Sequence, residues 1–196
     1  MVVGAPSYPE FMTTLYDRFA TALIVVDVQV GVVAGAFNRD VVIGNISTLV
    51  AKAREAGVPV VWVQHSDEEM VKDGDAWQLA PGLERRESEP LVHKQYGDSF
   101  EGTDLEQVLA GAGVGALVVA GAETDACIRS TIHGAFTRGY DVTLVGDAHT
   151  MNDRSAWGAP TADLSIANVN LYWQFQSAPG RTAAVSTVED VFSKNS

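Results

Sequence analysis

Residues 117–131 constrain the fold of this chain more than any other stretch. They begin with the apolar run Leu117–Ala120, which is typical of a buried strand, and Gly121 ends that run. Thr124 and Asp125 are favourable N-cap residues, and apolar residues recur after them at helical spacing. The stretch therefore predicts a strand, a turn and a helix in direct succession, which is the repeating unit of a parallel α/β sheet.

The single cysteine of the chain, Cys127, lies in the first turn of that predicted helix. Free main-chain N–H groups and the helix dipole favour an anion there, and a thiol pKa of about 8.5 falls to roughly 3.5–7.5 at such positions. We therefore predict that Cys127 is a reactive thiolate near neutral pH and serves as a nucleophile. The alternative is a small buried hydrophobic residue, which is the usual role of a free cysteine.

The rest of the chain alternates between short apolar runs and helical patterns. The other predicted strands are Thr21–Val26, Val58–Val63, Leu91–His93, Tyr140–Val145 and Ala183–Val185. The predicted helices begin at Asn38 or Asp40, Asp104, Thr124 or Asp125, Trp157 and Thr187. The fourth of these helices is predicted to run to Phe175, with Leu164, Ala167, Leu171 and Phe175 along one face. Alternating strands and helices predict a parallel sheet covered on both faces.

A glycine cluster at residues 111–115 superficially resembles a dinucleotide-binding loop. Such a loop follows a strand and opens a helix, whereas this cluster follows a predicted helix and opens a strand. We interpret it as a helix stop and a turn, and we expect no cofactor.

Two further polar residues lie where predicted strands end. Asp27 follows the first strand and Lys94 follows the third. Sites in open α/β sheets lie beyond the carboxyl ends of the strands, so a switch point beside the first strand would bring Asp27, Lys94 and Cys127 together. The alternatives are an aspartate that caps a turn and a lysine that is solvated at the surface.

Together these three side chains suit acyl transfer. Cys127 would attack a carbonyl carbon to form a thioester, Asp27 would move the protons and later activate water, and Lys94 would balance their charge. The main-chain N–H groups of Cys127 and of the turn at Glu123 are placed to bind the oxyanion.

Three segments resemble those of the isochorismatase-like cysteine hydrolases, namely LIVVDVQ, HKQYGDSFEGTDL and VVAGAETDACIRST. The resemblance covers about residues 20–190. It implies a three-layer α/β/α fold with a six-stranded parallel sheet of Rossmann-like topology. It also implies that Asp27, Lys94 and Cys127 form a catalytic triad, and that the peptide bond between Ala122 and Glu123 is cis.

Two departures from the family pattern bear on the site. Nicotinamidases of the family bind a metal through an aspartate and a histidine after the second strand, whereas this chain reads QHSD at residues 64–67. We therefore predict no metal, and we interpret His65 as polar lining, with a ligand role as the alternative. Glu123 stands where the family usually has a small or apolar residue.

Six residues are predicted to bind substrate: Gln29, Phe37, His65, Trp77, Glu123 and Thr124. Besides Glu123, four acidic residues are candidates for the pocket mouth: Asp67, Glu68, Glu69 and Asp98. Carboxylates at a cleft attract cations and repel anions, so we expect a substrate that is neutral or positively charged. The alternative is that these carboxylates point into water.

The leading hypothesis is a metal-independent hydrolase of an amide C–N bond in a small amide, carbamoyl compound or lactam. The second is isochorismate hydrolysis, in which a vinyl ether is cleaved without a thiol nucleophile. The third is a catalytically inactive binding module on the same fold. The presence of Asp27, Lys94 and Cys127 together disfavours the second and the third.

Composition limits the partners and the compartment. The chain has 13 basic and 25 acidic residues and a formal net charge of −12, which argues against nucleic acid and anionic membranes. No apolar run reaches the roughly 18 residues of a membrane helix, and we expect no signal peptide. One cysteine cannot form an internal disulfide, which favours a reducing, cytoplasmic location.

The length of 196 residues predicts one domain. We assign residues 21–196 to it and residues 1–20 to an N-terminal extension. Residues 1–11 are rich in Gly, Pro and Ser and are interpreted as vector-derived or upstream sequence, with Met12 as the natural start. From the family resemblance we expect a homodimer or homotetramer.

Overall fold

The computed structural model describes residues 13–192. The strands within this range are β1 (Ala20–Val26), β2 (Val60–His65), β3 (Leu91–Lys94), β4 (Val114–Ala122), β5 (Asp141–Thr150), β6 (Ser177–Ala178) and β7 (Arg181–Ser186). They form one sheet in the order β3-β2-β1-β4-β5-β7-β6. Six strands are parallel, as predicted, and the two-residue strand β6 adds an antiparallel edge.

The helices are α1 (Arg39–Glu55), α2 (Leu105–Gly111), α3 (Arg129–Arg138) and α4 (Ala162–Gln174). The apolar side chains of α1 pack on one face of the sheet, and those of α2, α3 and α4 pack on the other. The predicted three-layer α/β/α architecture is confirmed. Since both faces of the sheet are covered, its central strands are continuous apolar runs rather than alternating ones.

The strand order changes direction at β1, which lies between β2 and β4. Val26, the last residue of β1, pairs with Val63 and with Gly121. A Cβ atom on Gly121 would lie 2.0 Å from the carbonyl oxygen of Val26, and its φ is +131°, so only glycine permits this close approach. The carboxyl ends of the central strands therefore meet at one edge of the sheet, where ligands bind in such folds.

The apolar face of α4 that is most evident in the sequence is exposed. Leu164, Leu171 and Phe175 are 59%, 58% and 76% exposed, and the helix instead buries a second apolar face. That buried face is formed by Ala162, Val169 and Trp173. Both sets recur at helical spacing, so periodicity alone does not choose between them.

The start of α4 differs from the prediction, because the helix begins at Ala162 and not at Trp157. Trp157 belongs to a separate 3₁₀ turn, Ser155–Trp157. Pro160 disfavours helical backbone at Ala159, which separates the two elements.

At the C-terminus no helix follows Thr187 within the described range. Residues 188–192 form turns, and the Thr187 hydroxyl accepts a hydrogen bond from the amide of Asp190. At the N-terminus, Thr13 and Thr14 donate hydrogen bonds to the carbonyl of Gly139, so the described part of the predicted extension packs against the end of α3. The interpretation of residues 1–11 and of Met12 lies outside the described residues.

Among residues 13–192, no helix has the length and apolarity needed to cross a bilayer.

Candidate active site

Three strand ends supply the central side chains of the site. Asp27 follows β1 with a positive φ of 51°, a conformation that aspartate adopts more readily than most residues. Lys94 is the last residue of β3, and Cys127 lies in the turn after β4. The side chain of Lys94 is buried, and so is that of Asp27.

The ammonium group of Lys94 joins the other two residues. Its Nζ atom lies 2.7 Å from Oδ2 of Asp27 and donates to Sγ of Cys127 at 3.2 Å. It also donates to the carbonyl of Tyr96 at 3.0 Å, so the ammonium is held by one ion pair and two hydrogen bonds. Oδ1 of Asp27 is buried and accepts no hydrogen bond from the described residues. This oxygen is therefore available to receive a proton.

The turn that carries Cys127 differs from the predicted helix start. Residues Thr124–Ile128 form a π-helical turn, and neither Thr124 nor Asp125 makes an N-cap hydrogen bond. The Glu123 carbonyl accepts from the amide of Ile128 at 3.0 Å, which is the i to i+5 pattern of a π turn. The Ala122–Glu123 peptide bond is cis, as the family resemblance implied.

The prediction that Cys127 is a thiolate in the free protein is wrong. Burial, with the neighbouring Asp27 carboxylate, raises the pKa of the Cys127 thiol to about 12, and the opposing effect of Lys94 is smaller. Burial also raises the pKa of Asp27, although the ammonium of Lys94 opposes that shift. The raised pKa values keep the Cys127 thiol neutral near neutral pH and make Asp27, in contact with Lys94, a stronger base than an ordinary carboxylate.

A cleft of about 580 Å³ lies at the same edge of the sheet, where β2 and β4 end at His65 and before Glu123. His65, Asp67, Glu69, Glu123, Asp153 and Arg154 are among the residues that line it. Asp27, Lys94 and Cys127 do not line the cleft themselves, but Glu123 begins the turn that carries Cys127, and His65 pairs with Lys94 across β2 and β3. A substrate in the cleft would therefore lie against the turn that carries the thiol.

Of the six residues predicted to bind substrate, only His65 and Glu123 line this cleft. Gln29 is fully buried, and its side-chain amide donates to the carbonyls of His65 and Trp77 at 2.9 Å and accepts from the amide of His65 at 2.8 Å. Its polar atoms are thus committed to the backbone. The geometry shows Gln29 holding the end of β2, and its contact with substrate stays a prediction.

The other three predicted substrate-binding residues also lie outside the lining of the cleft. Trp77 is 6% exposed and stacks on His93, with ring centroids 5.5 Å apart. Phe37 is 39% exposed. Thr124 is buried, and its hydroxyl is 2.9 Å from Nδ1 of His149.

The acidic residues predicted at the pocket mouth divide into two groups. Asp67 and Glu69 line the cleft, and Glu68 does not. Asp98 also lies outside the lining and pairs with Arg138 at 3.0 Å. Asp153, which was not among the residues predicted from the sequence, lines the cleft as well.

Further site residues were missed because β5 is longer than predicted. After Leu144 pairs with Val119, the pairing of β5 resumes at His149 opposite Gly121, with a bulge between. The strand therefore ends at the sheet edge that carries the site, and Asn152 and Arg154 follow it into the cleft lining. Sites in parallel sheets lie beyond the carboxyl ends of the strands, so a predicted strand ending at Thr150 would have indicated Asn152 and Arg154.

The His65 ring is paired with a carboxylate, since its Nε2 atom lies 3.1 Å from Oδ2 of Asp67. Among residues 13–192, no group of three or more His, Cys, Asp and Glu side chains is arranged to share a metal ion. The prediction of metal independence stays a prediction.

Comparisons with known proteins agree with this fold. The sequence model of the family described as Isochorismatase domain matches residues 21–171. Streptothricin hydrolase of Streptomyces noursei is 36% identical over 142 residues, which cover 69% of this chain and 56% of that protein. Ureidoacrylate amidohydrolase RutB of Klebsiella variicola is 26% identical over 189 residues, with 75% and 79% covered. The crystal structure of an isochorismatase from Pseudomonas putida KT2440 has a TM-score of 0.76 and 25% identity, and 93% of each chain is covered.

A family match over most of the chain, on the parallel sheet described above, establishes the class of protein. This chain belongs to the isochorismatase family. Relatives within it include proteins named as hydrolases and amidohydrolases. The chain spans about half the length of the Streptomyces noursei proteins that it matches, at 56% and 50%.

Proposed function

We propose that this chain is a cysteine hydrolase that cleaves an amide C–N bond of a small molecule through a thioester intermediate. One observation carries the proposal: the ammonium of Lys94 contacts both the carboxylate of Asp27, at 2.7 Å, and the sulfur of Cys127, at 3.2 Å. A thiol, a base and a cation in contact are the groups that covalent catalysis requires. Similarity to streptothricin hydrolase and to an amidohydrolase supports an amide or lactam as the substrate.

In the first half-reaction, Sγ of Cys127 attacks the carbonyl carbon while Asp27 takes the thiol proton. The carbonyl electron pair moves onto oxygen, and the main-chain N–H groups of Cys127 and Glu123 are the proposed donors to this oxyanion. The C–N bond then breaks as Asp27 gives its proton to the nitrogen. The amine leaves, and the acyl group remains on Cys127 as a thioester.

In the second half-reaction, Asp27 takes a proton from water as the water oxygen attacks the thioester carbon. The C–S bond breaks, the carboxylic acid leaves, and Asp27 returns the proton to Cys127. In each half-reaction one negative charge thus leaves Asp27, is carried in turn by the sulfur and the oxyanion, and returns to Asp27. Lys94 contacts the two protein atoms that carry this charge and stays protonated, which lowers the cost of holding it in a buried site.

The cleft favours a neutral or cationic substrate. Hydrogen bonds from Met70 and His65 lower the pKa of Asp67, so it is an anion at neutral pH. Asp153 is held in the same way by Ser155 and Ala162. These carboxylates would repel a dianion such as isochorismate.

The charge of Arg154 at the same cleft is already matched, because this side chain pairs with both Glu123 and Asp125. The charge of the cleft therefore supports amide hydrolysis over isochorismate hydrolysis.

Turnover of matched neutral, cationic and anionic amides and lactams tests the proposal. Cys127→Ala and Asp27→Asn should each abolish turnover, and Lys94→Met should remove most of it. Lys72→Met is the matched control, since Lys72 is exposed and lies outside the site. Rapid quenching followed by intact mass measurement should show the acyl group on the wild-type protein and not on Cys127→Ala. Turnover that survives in Cys127→Ala would refute the thioester mechanism.

A further inference from the structure

Glu123 lines the cleft and directly precedes the turn that carries Cys127, and both oxygens of its carboxylate have partners. Oε1 accepts from the main-chain amide of Asn152 at 3.0 Å and from the Asn152 side chain at 2.7 Å. Oε2 pairs with the guanidinium of Arg154. The side chain of Glu123 is only 15% exposed, so these contacts are partly shielded from water.

Arg154 contacts the same turn at a second residue, Asp125. Its Nη1 atom donates to Oδ1 of Asp125 at 2.6 Å, while its Nη2 atom pairs with Glu123. Glu123 precedes the π turn and Asp125 lies inside it, two residues before Cys127. One planar guanidinium therefore spans the start of the turn, a geometry that lysine cannot reproduce.

Asn152 extends the contact to a third segment. Its side-chain amide donates to the carbonyl of Val32 at 2.9 Å in addition to Glu123. Val32 belongs to the segment between β1 and α1, which begins with Asp27. The segments that carry the base and the thiol are thus tied to each other through the loop after β5.

We propose that Glu123, Asn152 and Arg154 form a latch that positions the Cys127 turn against Asp27 and Lys94. The three residues are positioning residues, because they act on the reacting sulfur through the turn. This inference rests on the proposed role of Cys127. It also explains how a charged residue can stand at Glu123, near the nucleophile. Its partner Arg154, which is 28% exposed, lines the same cleft and balances its charge.

Removing the charge of either Glu123 or Arg154 should lower kcat to a similar extent. Arg154→Gln leaves the Glu123 carboxylate partly buried without this counter-charge, and Glu123→Gln leaves Arg154 paired with Asp125 but no longer with the residue that precedes the turn. Either change releases one of the two points at which the turn is held. A misplacement of about 1 Å between reacting groups costs on the order of 100-fold in rate. We expect Glu123→Gln and Arg154→Gln each to lower kcat by about 10- to 100-fold, and the double variant to fall little further, because the two residues act as a unit.

The two single variants distinguish a role in positioning the Cys127 turn from a direct effect of cleft charge on substrate binding. Glu123→Gln removes a negative charge from the cleft and Arg154→Gln removes a positive one. If the pair acted only through the field of the cleft, the KM for a cationic amide would move in opposite directions and kcat would stay constant. The latch predicts instead that kcat falls in both.

Alkylation of Cys127 by iodoacetamide provides a readout that needs no substrate. Loosening the turn exposes the thiol to water, so alkylation at mildly alkaline pH should become faster in both variants while kcat falls. Arg138→Gln is the control, because it breaks the comparable pair with Asp98 away from this turn. It should leave kcat and alkylation within about twofold of wild type. Asn152→Ala tests the third contact without changing charge.

Unchanged kcat and alkylation in folded Glu123→Gln and Arg154→Gln would overturn the latch, and so would opposite KM shifts at constant kcat. If either variant fails to fold, Asn152→Ala decides by the same two readouts. Failure of the proposed function is a separate result, because it would appear as turnover in Cys127→Ala, and the alkylation rates would still report on the latch.

Discussion

Thr124 donates its hydroxyl hydrogen to Nδ1 of His149, across 2.9 Å in the core of the protein. The direction of this bond follows from Asn170. Its side-chain Nδ2 donates to the carbonyl of Gly146, so Oδ1 faces His149 and must accept from Nε2 at 2.9 Å. A neutral imidazole that carries its hydrogen on Nε2 has an acceptor at Nδ1. When its ring is neutral, His149 therefore holds the first residue of the Cys127 turn by accepting at Nδ1.

This relationship predicts a loss of stability in acid. Burial lowers the pKa of His149, so below about pH 6.5 the unfolded chain binds a proton that the folded protein does not. The free energy of unfolding should fall as the pH drops below about 6.5 and should be unaffected by His149 above it. The slope for one proton is at most about 1.4 kcal/mol per pH unit.

Urea unfolding of wild type and His149→Gln between about pH 5.5 and 7.5 measures this slope. The variant should lose part of the slope. Part should remain, because burial also lowers the pKa of His93 and His133. Identical slopes for the two proteins would show that folding does not lower the pKa of His149.

The second prediction concerns the acidity of the thiol. Because burial and the Asp27 carboxylate raise the pKa of Cys127 to about 12, alkylation by iodoacetamide should keep rising through about pH 9 without a plateau. Asp27→Asn removes the negative charge and leaves Lys94 in place, so its thiol should be more acidic than that of wild type. The variant should react faster near neutral pH although it has lost turnover. A wild-type plateau at or below about pH 7 would contradict the assigned resting state.

The third prediction concerns substrate charge and uses two adjacent residues. Glu69 lines the cleft and Glu68 does not. Glu69→Gln should lower kcat/KM for a cationic amide by roughly two- to fivefold at low salt, and the difference should shrink at high salt. Glu68→Gln should match wild type. Equal effects of the two changes, or a preference for an anionic amide, would remove the argument from cleft charge.

The fourth prediction is that turnover survives exhaustive chelation. Among the described residues, His65 and Asp67 form a pair at 3.1 Å but belong to no group of three candidate metal ligands. Two such side chains fall short of the usual three protein ligands of a catalytic zinc. Activity that is lost in chelator and restored by zinc would assign His65 as a ligand.

The fifth prediction concerns the exposed face of α4, formed by Leu164, Leu171 and Phe175. Asp163 is the only charged residue of this helix, in a chain of net charge −12. We expect a second copy of the chain to cover this face, since two strongly acidic proteins approach most easily through a neutral surface. Light scattering should show a dimer or tetramer for wild type and a monomer for Leu171→Asp. Val41→Asp, at an exposed site on α1, should leave the oligomer intact.

Local sequence determined the strands and the functional positions at their ends. The run before Asp27 is long and apolar enough to be a buried strand, the shorter run before Lys94 forms a half-buried edge strand, and the carboxyl ends of parallel strands share one edge. For that reason the amino-acid sequence alone indicates Asp27, Lys94 and Cys127 as neighbours in the folded protein.

Tertiary structure decided what those side chains contact and how their charges respond. The pKa of Cys127 depends on its burial and on Asp27, which lies 100 residues away along the chain, so a helix-start argument gave the wrong direction. Glu123 looked like a source of cleft charge until its partner Arg154 was located. The two apolar faces of α4 have the same period, and only packing against the sheet selects Trp173 over Leu171. Periodicity and capping act over a few residues, whereas desolvation and ion pairing depend on groups that only the folded chain brings together.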